Sequence, residues 1–166
     1  MLEVESVDAL RAHVGRRLGS SEWVVVDQAM IDRFAEATGD HQWIHVDVER
    51  AKREMPGGRT IAHGFLTLSL LPRLNAGIYT IKNRKRGVNY GSNKVRFTAP
   101  VPSGARVRGH LTLKAIEPLG NGCSRLVTEA TVEVEGGGRP AAGKGRRPPP
   151  PGAAGQAGAD VRRHGG

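Results

Sequence analysis

The first half of the chain carries its apolar residues at helical spacing, interrupted by one short run of valines. Residues 23–26, a tryptophan and three valines, predict a strand because β-branched and aromatic side chains favour the extended chain. Three helices are predicted around this strand, each preceded by a residue whose side-chain oxygen can cap the first turn. The helices and their N-caps are 6–18 with Ser6, 27–39 with Asp27, and 47–54 with Asp47.

The longest apolar run of the chain lies in residues 63–76 and predicts one long helix. Its leucines and Phe65 cover most of the helix circumference, so we expect the helix to be buried on nearly all sides. Pro72 lacks a backbone N–H, and we expect it to kink or tighten the last turns. His63 and Gly64 stand at the N-terminal end, where the first N–H groups of a helix have no partner within it.

After this helix the pattern changes to an alternation of apolar and polar positions, which is typical of strands. Turns rich in Pro and Gly, at 100–104 and 118–122, separate the longest of these segments. A run of helices followed by a run of strands indicates an α+β domain, with the apolar helix packed on one face of a curved antiparallel sheet. The predicted strands are 78–81, 88–98, 105–117 and 123–135.

Residues 136–166 have a different composition from the rest of the chain. They contain ten Gly and five Pro, and Val161 is their only aliphatic residue larger than alanine. A segment with so few apolar side chains cannot bury enough surface to offset the entropy of ordering, so we predict a disordered tail. The chain then divides into one folded domain, residues 1–135, and the tail.

Charge and cysteine content exclude several classes of function. The formal charge is +9, but six Lys and Arg against one Asp place +5 in the tail and leave +4 on residues 1–135. With this charge on the domain, and with 4% aromatic residues in the whole chain, the domain lacks the surface of a nucleic-acid-binding module. The single Cys123 excludes a disulfide within the chain and a cysteine-ligated zinc site. The chain has no run of about 20 apolar residues, the length needed to span a bilayer, so we expect no membrane partner and a cytoplasmic protein.

Residues capable of proton transfer or metal binding are concentrated around the start of the apolar helix. They are His41, His45, His63, Asp40 and Asp47. His41 and His45 have the i, i+4 spacing of a metal site on a helix, although the neighbouring residues disfavour a helix there. Asp40 and His45 could instead form a metal-free acid–base pair, or backbone carbonyls could satisfy all of the histidines. The spacing alone leaves these three interpretations open.

Three motifs in order along the chain add a family resemblance that covers about residues 1–140. They are ATGDHQWIHVD at 37–47, TIAHGFLTLSLLPRL at 60–74, and NKVRFTAPVPSGARV at 93–107. Together they resemble the MaoC-like hydratase family, and within it the branch of NodN-like proteins and (R)-specific enoyl-CoA hydratases. The resemblance implies a hot-dog fold, in which a curved antiparallel sheet wraps around the helix over 63–76.

The resemblance also implies an activity. Asp40 and His45 match the catalytic pair that activates one water for addition to a trans-2-enoyl-CoA, which gives a (3R)-hydroxyacyl-CoA. Gly64 matches the residue whose backbone N–H polarises the thioester carbonyl, and Gln42 and His63 occupy supporting positions. No metal and no cofactor is implied, since the CoA thioester is the substrate, and a homodimer is implied. An acyl-CoA thioesterase and a non-catalytic acyl-CoA-binding protein remain the alternatives.

The sequence departs from the family pattern at two places. Gln42-Trp43 replaces the family's Asn-Pro, so the preferred acyl chain length does not follow from the resemblance. The family's last strand, rich in Val, Ile and Ala, would begin near 139–141, where this chain becomes rich in Gly, Pro and Arg. We therefore expect that the last strand is lost and that the sheet has an exposed edge.

Overall fold

The structure, a computed structural model, describes residues 1–137 and 140–142 and has the predicted α+β composition. No helix within these described residues is long and apolar enough to cross a membrane. The helices are α1 (Val7–Leu10), α2 (Gln28–Thr38), α3 (Trp43–Val46), α4 (Val48–Glu54), α5 (Gly64–Ser69) and α6 (Leu71–Ala76), with a 3₁₀ helix at Arg11–His13. The strands are β1 (Leu2–Val4), β2 (Arg17–Ser20), β3 (Val24–Val26), β4 (Tyr79–Ile81), β5 (Ala105–Gly120), β6 (Cys123–Val134) and β7 (Pro140–Ala142).

The main sheet is built on the long antiparallel hairpin of β5 and β6. Their register runs from Val107 opposite Val134 to Gly120 opposite Cys123. On the other side of β5, β3 and β2 pair antiparallel with successive parts of that strand, and β7 pairs antiparallel with β6. Separately, β1 and β4 form a short parallel pair. The hairpin is therefore the frame to which the shorter strands are joined.

The main core lies between the sheet and the helices α5 and α6. Leu66, Leu70 and Leu74 of this helical segment are buried in one apolar cluster with Val107 of β5 and Val132 of β6. Burial of side chains of this size stabilises the fold by about 1.5–3 kcal/mol each. A second cluster consists of Val4, Leu10, Ile81, Leu113 and Ile116.

The three predicted N-caps are confirmed. The Asp27 side chain accepts a hydrogen bond from the N–H of Met30 at 2.8 Å, and Asp47 accepts one from the N–H of Arg50 at 2.9 Å. The Ser6 hydroxyl accepts from the N–H of Ala9 at 3.2 Å. Each contact satisfies one of the N–H groups that the first turn of a helix leaves without a partner.

The helix predicted over 6–18 is wrong beyond its first turns. Helix α1 and the 3₁₀ helix end by His13, and the chain then turns through Gly15, which has a φ of +82°. The N–H of Gly15 donates to the carbonyl of Leu113 on β5 at 2.8 Å, and residues 17–20 form β2 against the same strand. Pairing with a distant strand has overridden the local helical pattern.

The apolar helix over 63–76 is correct in extent but is divided into α5 and α6 at Leu70. Pro72 lies in the first turn of α6, where an N–H has no partner within the helix, so its missing N–H costs little there. The expectation of burial on nearly all sides is also wrong. Phe65 is 57% exposed, whereas Leu66 and Leu74 are buried, so the helical segment buries one face.

The strand predicted over 88–98 is wrong, and so is the loss of the last strand. Residues 88–96 have no regular structure, while Pro140–Ala142 form β7. The Thr98 N–H donates to the Ala141 carbonyl at 3.0 Å, and Ala141 is buried. A strand needs a neighbour that supplies hydrogen bonds along its length, and no strand among the described residues pairs with 88–96. The predicted tail thus begins too early, and its residues 138–139 and 143–166 lie outside the described residues.

Candidate active site

Three short segments bring the predicted site residues together. The first is the loop that follows α2, where Gly39 takes a left-handed conformation with a φ of +74° and ends the helix. The second is α3, a single turn that includes His45 and that the sequence did not predict. The third is the stretch Ile61–Gly64, which enters α5. The loop and the two other segments position Asp40, His45, His63 and Gly64.

His45 is buried, with 7% of its surface exposed. Its Nδ1 lies 2.6 Å from the backbone carbonyl oxygen of Ile61. Since a carbonyl oxygen only accepts, Nδ1 carries the proton and the Nε2 of the neutral ring is a free acceptor. The backbone carbonyl of His45 accepts a hydrogen bond from the Gln28 side-chain amide at 2.8 Å. Both the ring and the main chain of this residue are therefore fixed.

The pKa of the His45 imidazole is lowered from its ordinary value of 6.5. Burial is the largest cause, because a charged ring loses hydration on leaving water. The hydrogen bond to Ile61 raises the pKa in part, the nearby His63 lowers it and Asp40 raises it. The net lowering favours the neutral ring near pH 7, which is the form that can accept a proton.

His63 is more deeply buried, with 3% of its surface exposed. Its Nε2 donates to the backbone carbonyl of Asp40 at 2.9 Å. Its ring stacks on that of His45, with the centroids 3.8 Å apart and 28° between the planes, and Phe34 lies against it at 5.1 Å. The Nδ1 of His63 is buried and has no hydrogen-bond partner within the described residues.

Asp40 differs from the two histidines because its side chain is 57% exposed. One of its carboxylate oxygens accepts a long hydrogen bond, 3.4 Å, from the N–H of Gln42. One oxygen of Asp40 and one ring nitrogen each from His45 and His63 all lie within 4.8 Å of one another. A water molecule that makes two hydrogen bonds of about 2.8 Å can join atoms up to about 5.6 Å apart, so one water can bridge Asp40 and His45.

Asp40, His45 and His63 are also the residues that could hold a metal ion. Two imidazoles on one ion, with bonds of about 2.1 Å and angles of about 90–110°, have centroids about 4.5–5.2 Å apart. The observed 3.8 Å is too short, so the stacked rings would have to separate before both could bind one ion. His41, the other predicted ligand, lies outside α3 with its Nδ1 3.9 Å from the Glu36 carboxylate. The geometry favours a site that works through water.

Gly64 is the first residue of α5, at the predicted position. A Cβ atom built on it would lie 2.8 Å from ring atoms of Phe97, closer than side chains pack. The Phe97 ring therefore occupies the space beside the Gly64 backbone. Phe97 in turn meets Phe65 edge to face, with centroids 5.5 Å apart.

The remaining predicted residue, Gln42, is exposed and contributes through its main chain. Its carbonyl accepts a hydrogen bond from the N–H of His45 at 2.9 Å, at the start of α3. The neighbouring Trp43 is half-buried, and the guanidinium carbon of Arg50 lies 4.1 Å from the centre of its ring. Trp43 is thus fixed by α4.

Two residues of the site were missed by sequence reasoning. Ile61 acts through its carbonyl, which every residue has, so its side chain gives no signal. Gln28 bonds to the His45 carbonyl and accepts a hydrogen bond from the Thr60 hydroxyl. Its place at the first position of α2, beside the correctly predicted cap Asp27, was the one available signal.

Comparison with known proteins gives concordant results. A family model described as MaoC like domain matches residues 10–136. The 3-hydroxyacyl-thioester dehydratase Z of Mycobacterium tuberculosis is 55% identical over 141 residues, which cover 85% of this chain and 93% of that protein. Nodulation protein N of Rhizobium leguminosarum bv. viciae is 53% identical over 133 residues, 78% of this chain and 81% of that protein.

Solved structures agree on the fold. The R-hydratase PhaJ1 from Pseudomonas aeruginosa superposes with a TM-score of 0.62 at 22% identity, over 78% of this chain and 76% of that one. A regulatory protein of monoamine oxidase from Archaeoglobus has a TM-score of 0.67 at 20% identity, over 86% of this chain and 93% of that one. The predicted hot-dog fold is confirmed.

Proposed function

The chain belongs to the family of MaoC-like dehydratases, as its motifs predicted, and we propose that it hydrates trans-2-enoyl-CoA to (3R)-hydroxyacyl-CoA. A dehydratase or hydratase role follows from the family. The CoA carrier, the direction and the stereochemistry are the finer parts of the proposal.

One observation carries this proposal. An exposed carboxylate, Asp40, and the buried His45 lie within the span of a single water, and the Ile61 carbonyl leaves the His45 Nε2 free to take a proton. A base with a pKa below its ordinary value stays neutral at physiological pH and is ready to act. This geometry and this protonation state support the activation of a water by Asp40 and His45.

The reaction balances with these groups alone. Asp40 holds the water while the His45 Nε2 takes one of its protons, and the hydroxide oxygen forms a bond to C3 of the enoyl group. The electrons of the C2–C3 double bond move onto the thioester oxygen, where the N–H of Gly64 at the start of α5 stabilises the negative charge. The proton held by His45 then passes to C2. Water adds across one face with no change in oxidation state, so the reaction requires no redox cofactor.

We also propose that the chain forms a homodimer. Phe65 is 57% exposed and Tyr90 is 66% exposed, and Val88, two positions before Tyr90 in the sequence, is 82% exposed. Apolar side chains exposed to this extent are typical of a surface that another protein covers. Light scattering after gel filtration should give twice the chain mass.

The activity is tested by the loss of enoyl absorbance when crotonyl-CoA is added to the full chain. We expect Asp40→Asn and His45→Ala each to lower kcat by about 10²–10⁴-fold, the usual contribution of acid–base groups. His41→Gln is the matched control, since His41 lies in the same loop with its side chain half exposed and directed to Glu36. A folded protein that turns over neither crotonyl-CoA nor trans-2-enoyl-CoA substrates of medium and long acyl chain, or one whose activity survives both substitutions, would refute the assignment. Release of free CoA thiol in place of hydration would identify a thioesterase, and binding without turnover a non-catalytic acyl-CoA-binding protein.

A further inference from the structure

His63 contacts several residues of the candidate site, and the proposed reaction gives it no role. It donates to Asp40, stacks on His45 and immediately precedes Gly64. We propose that His63 is a positioning residue, which holds the Asp40 loop and the His45 ring at the spacing that one water can bridge. This inference rests on the proposed hydration.

His63 is itself firmly anchored. The N–H of Ala62 donates to the Val101 carbonyl at 2.8 Å, and the carbonyl of His63 accepts from the N–H of Thr67 in the first turn of α5 at 3.2 Å. With 3% of its surface exposed and Phe34 against its ring, the side chain cannot turn without disturbing the core. His63 can therefore hold neighbouring residues that have fewer contacts of their own in a fixed position.

The Asp40 loop is such a neighbour. Residues 39–42 are all exposed, and the other hydrogen bonds found for Asp40 are local and long, 3.4 Å from its N–H to Thr38 and 3.4 Å from Gln42 to its carboxylate. The 2.9 Å bond from the His63 Nε2 is the short one, and it joins the loop to the segment that leads into α5. Without it, the exposed carboxylate would have little to keep it near His45.

The same segment holds His45 from two sides. The Ile61 carbonyl accepts from Nδ1 at one edge of the ring, and the His63 ring covers one face at 3.8 Å. The N–H of Ile61 also donates to the carbonyl of Ile44, beside His45, at 3.0 Å. Four consecutive residues, 61–64, thus orient the proposed base, the proposed carboxylate and the proposed oxyanion donor together.

Two substitutions of His63 distinguish the effect of its hydrogen bond to Asp40 from the effect of removing its ring. In His63→Gln the side-chain amide nitrogen reaches the place of Nε2 and can still donate to the Asp40 carbonyl, whereas in His63→Asn it reaches only the place of Nδ1. We expect the Asn variant to lose about 10–100-fold in kcat, the range seen when orienting partners are removed, with KM within about 3-fold. The Gln variant should keep most of the kcat, and His41→Gln is again the control.

A second measurement does not depend on activity. Backbone order parameters from NMR should be about 0.85 for residues 40–42 in the unaltered chain and in His63→Gln, and should fall toward about 0.6 in His63→Asn. Equal order parameters in the two variants would overturn the positioning role whatever their kcat. If the unaltered chain hydrates trans-2-enoyl-CoA of no chain length, the proposed function is wrong, and this comparison still decides whether His63 orders the Asp40 loop.

The unaltered chain offers a test that survives if either variant fails to fold. Nitrogen-15 spectra of the histidine side chains should show His63 protonated on Nε2, with a proton that exchanges slowly because it is buried against Asp40. Protonation on Nδ1, or rapid exchange at Nε2, would overturn the proposal.

Discussion

The Nδ1–H of His45 donates to the backbone carbonyl of Ile61 across 2.6 Å, and this contact decides which nitrogen of the ring is free. A histidine held in this way needs no carboxylate to fix its tautomer. Its protonation has consequences for activity and stability.

The first prediction concerns the pH dependence of hydration. Because the pKa of His45 is lowered from 6.5, the ring stays neutral through pH 7, and kcat/KM should be level from about pH 7 upward to pH 8. On acidification it should fall with the slope of one proton, through a midpoint below 6.5. Initial rates with crotonyl-CoA at pH values from about 4.5 to about 8, on both sides of the ordinary histidine pKa, would measure this pH dependence. A midpoint above 6.5 would contradict the role of burial.

The second prediction concerns stability. A histidine with a lowered folded-state pKa contributes stability that is fully present above its unfolded value of 6.5 and is lost as pH falls through the folded value. The free energy of unfolding should therefore decline below pH 6.5. In His45→Asn the amide can still donate to Ile61 but does not titrate, so this part of the decline should disappear.

Urea unfolding at pH 7.5 and at pH 5 gives the change in the free energy of unfolding between the two pH values. This change is compared between the unaltered chain and His45→Asn, whatever the absolute stability of each. The carboxylates Glu133 and Glu135 have pKa values lowered from 4.5 by their hydrogen bonds with Arg108 and Arg106 respectively, so their contribution is lost only at lower pH. Equal slopes for the variant and the unaltered chain would show that His45 does not cause the decline.

The third prediction concerns Gly64 and Phe97. A Cβ on Gly64 would lie 2.8 Å from the Phe97 ring, so Gly64→Ala should lower the free energy of unfolding by about 1–3 kcal/mol, as overpacking does. In a Phe97→Ala background the clash is absent and the better helix propensity of alanine, worth up to about 1 kcal/mol, should make the same change stabilising.

This change of sign is measured with a double-mutant cycle in urea. Gly77→Ala is the control, because a Cβ there has its nearest neighbour, the Leu74 carbonyl, at 3.8 Å. If Gly64→Ala has the same effect with and without the Phe97 ring, the contact between the two residues is not what excludes a side chain.

The fourth prediction concerns the C-terminal end of the sheet. A chain that stops after Gly137 lacks the buried Ala141 and the carbonyl that accepts from Thr98, and we expect it to lose roughly 1–3 kcal/mol of stability. A chain that stops after Ala142 keeps both contacts. From the composition of residues 143–166 we expect this second truncation to melt at the same temperature as the full chain. Identical melting of the two truncations would mean that β7 adds no stability.

Features that depend on neighbouring residues in the sequence were predicted well. Asp27 and Asp47 cap their helices through contacts three residues away, so the residues that decide the structure are visible together in the sequence. The failures concern partners that are distant in sequence. Gly15 leaves the helical pattern because it bonds to Leu113, nearly a hundred positions later.

The candidate site shows the same division. Asp40 and His45 lie close together as the motifs implied, and Gly64 directly follows His63, the third residue of the same cluster. The motifs name side chains or a glycine, which can be identified in the sequence. The bond from His63 to Asp40 joins a side chain to a carbonyl 23 residues away, and no residue pattern marks a carbonyl that accepts. Sequence reasoning therefore named residues that the fold brings together, and it missed most of the contacts that hold them there.

Asp40 is exposed to solvent whereas His45 and His63 are buried, so solvent reaches the candidate site from the side of the carboxylate. Folding has already removed the hydration of the imidazoles, so that part of the cost of preparing the site is met before any ligand arrives. In the proposed reaction, the Asp40 carboxylate would keep its hydration until the acyl chain of the substrate covers it. We therefore expect an acyl chain that shields Asp40 from bulk water to strengthen its interaction with the reacting water, and a chain too short to shield it to react more slowly.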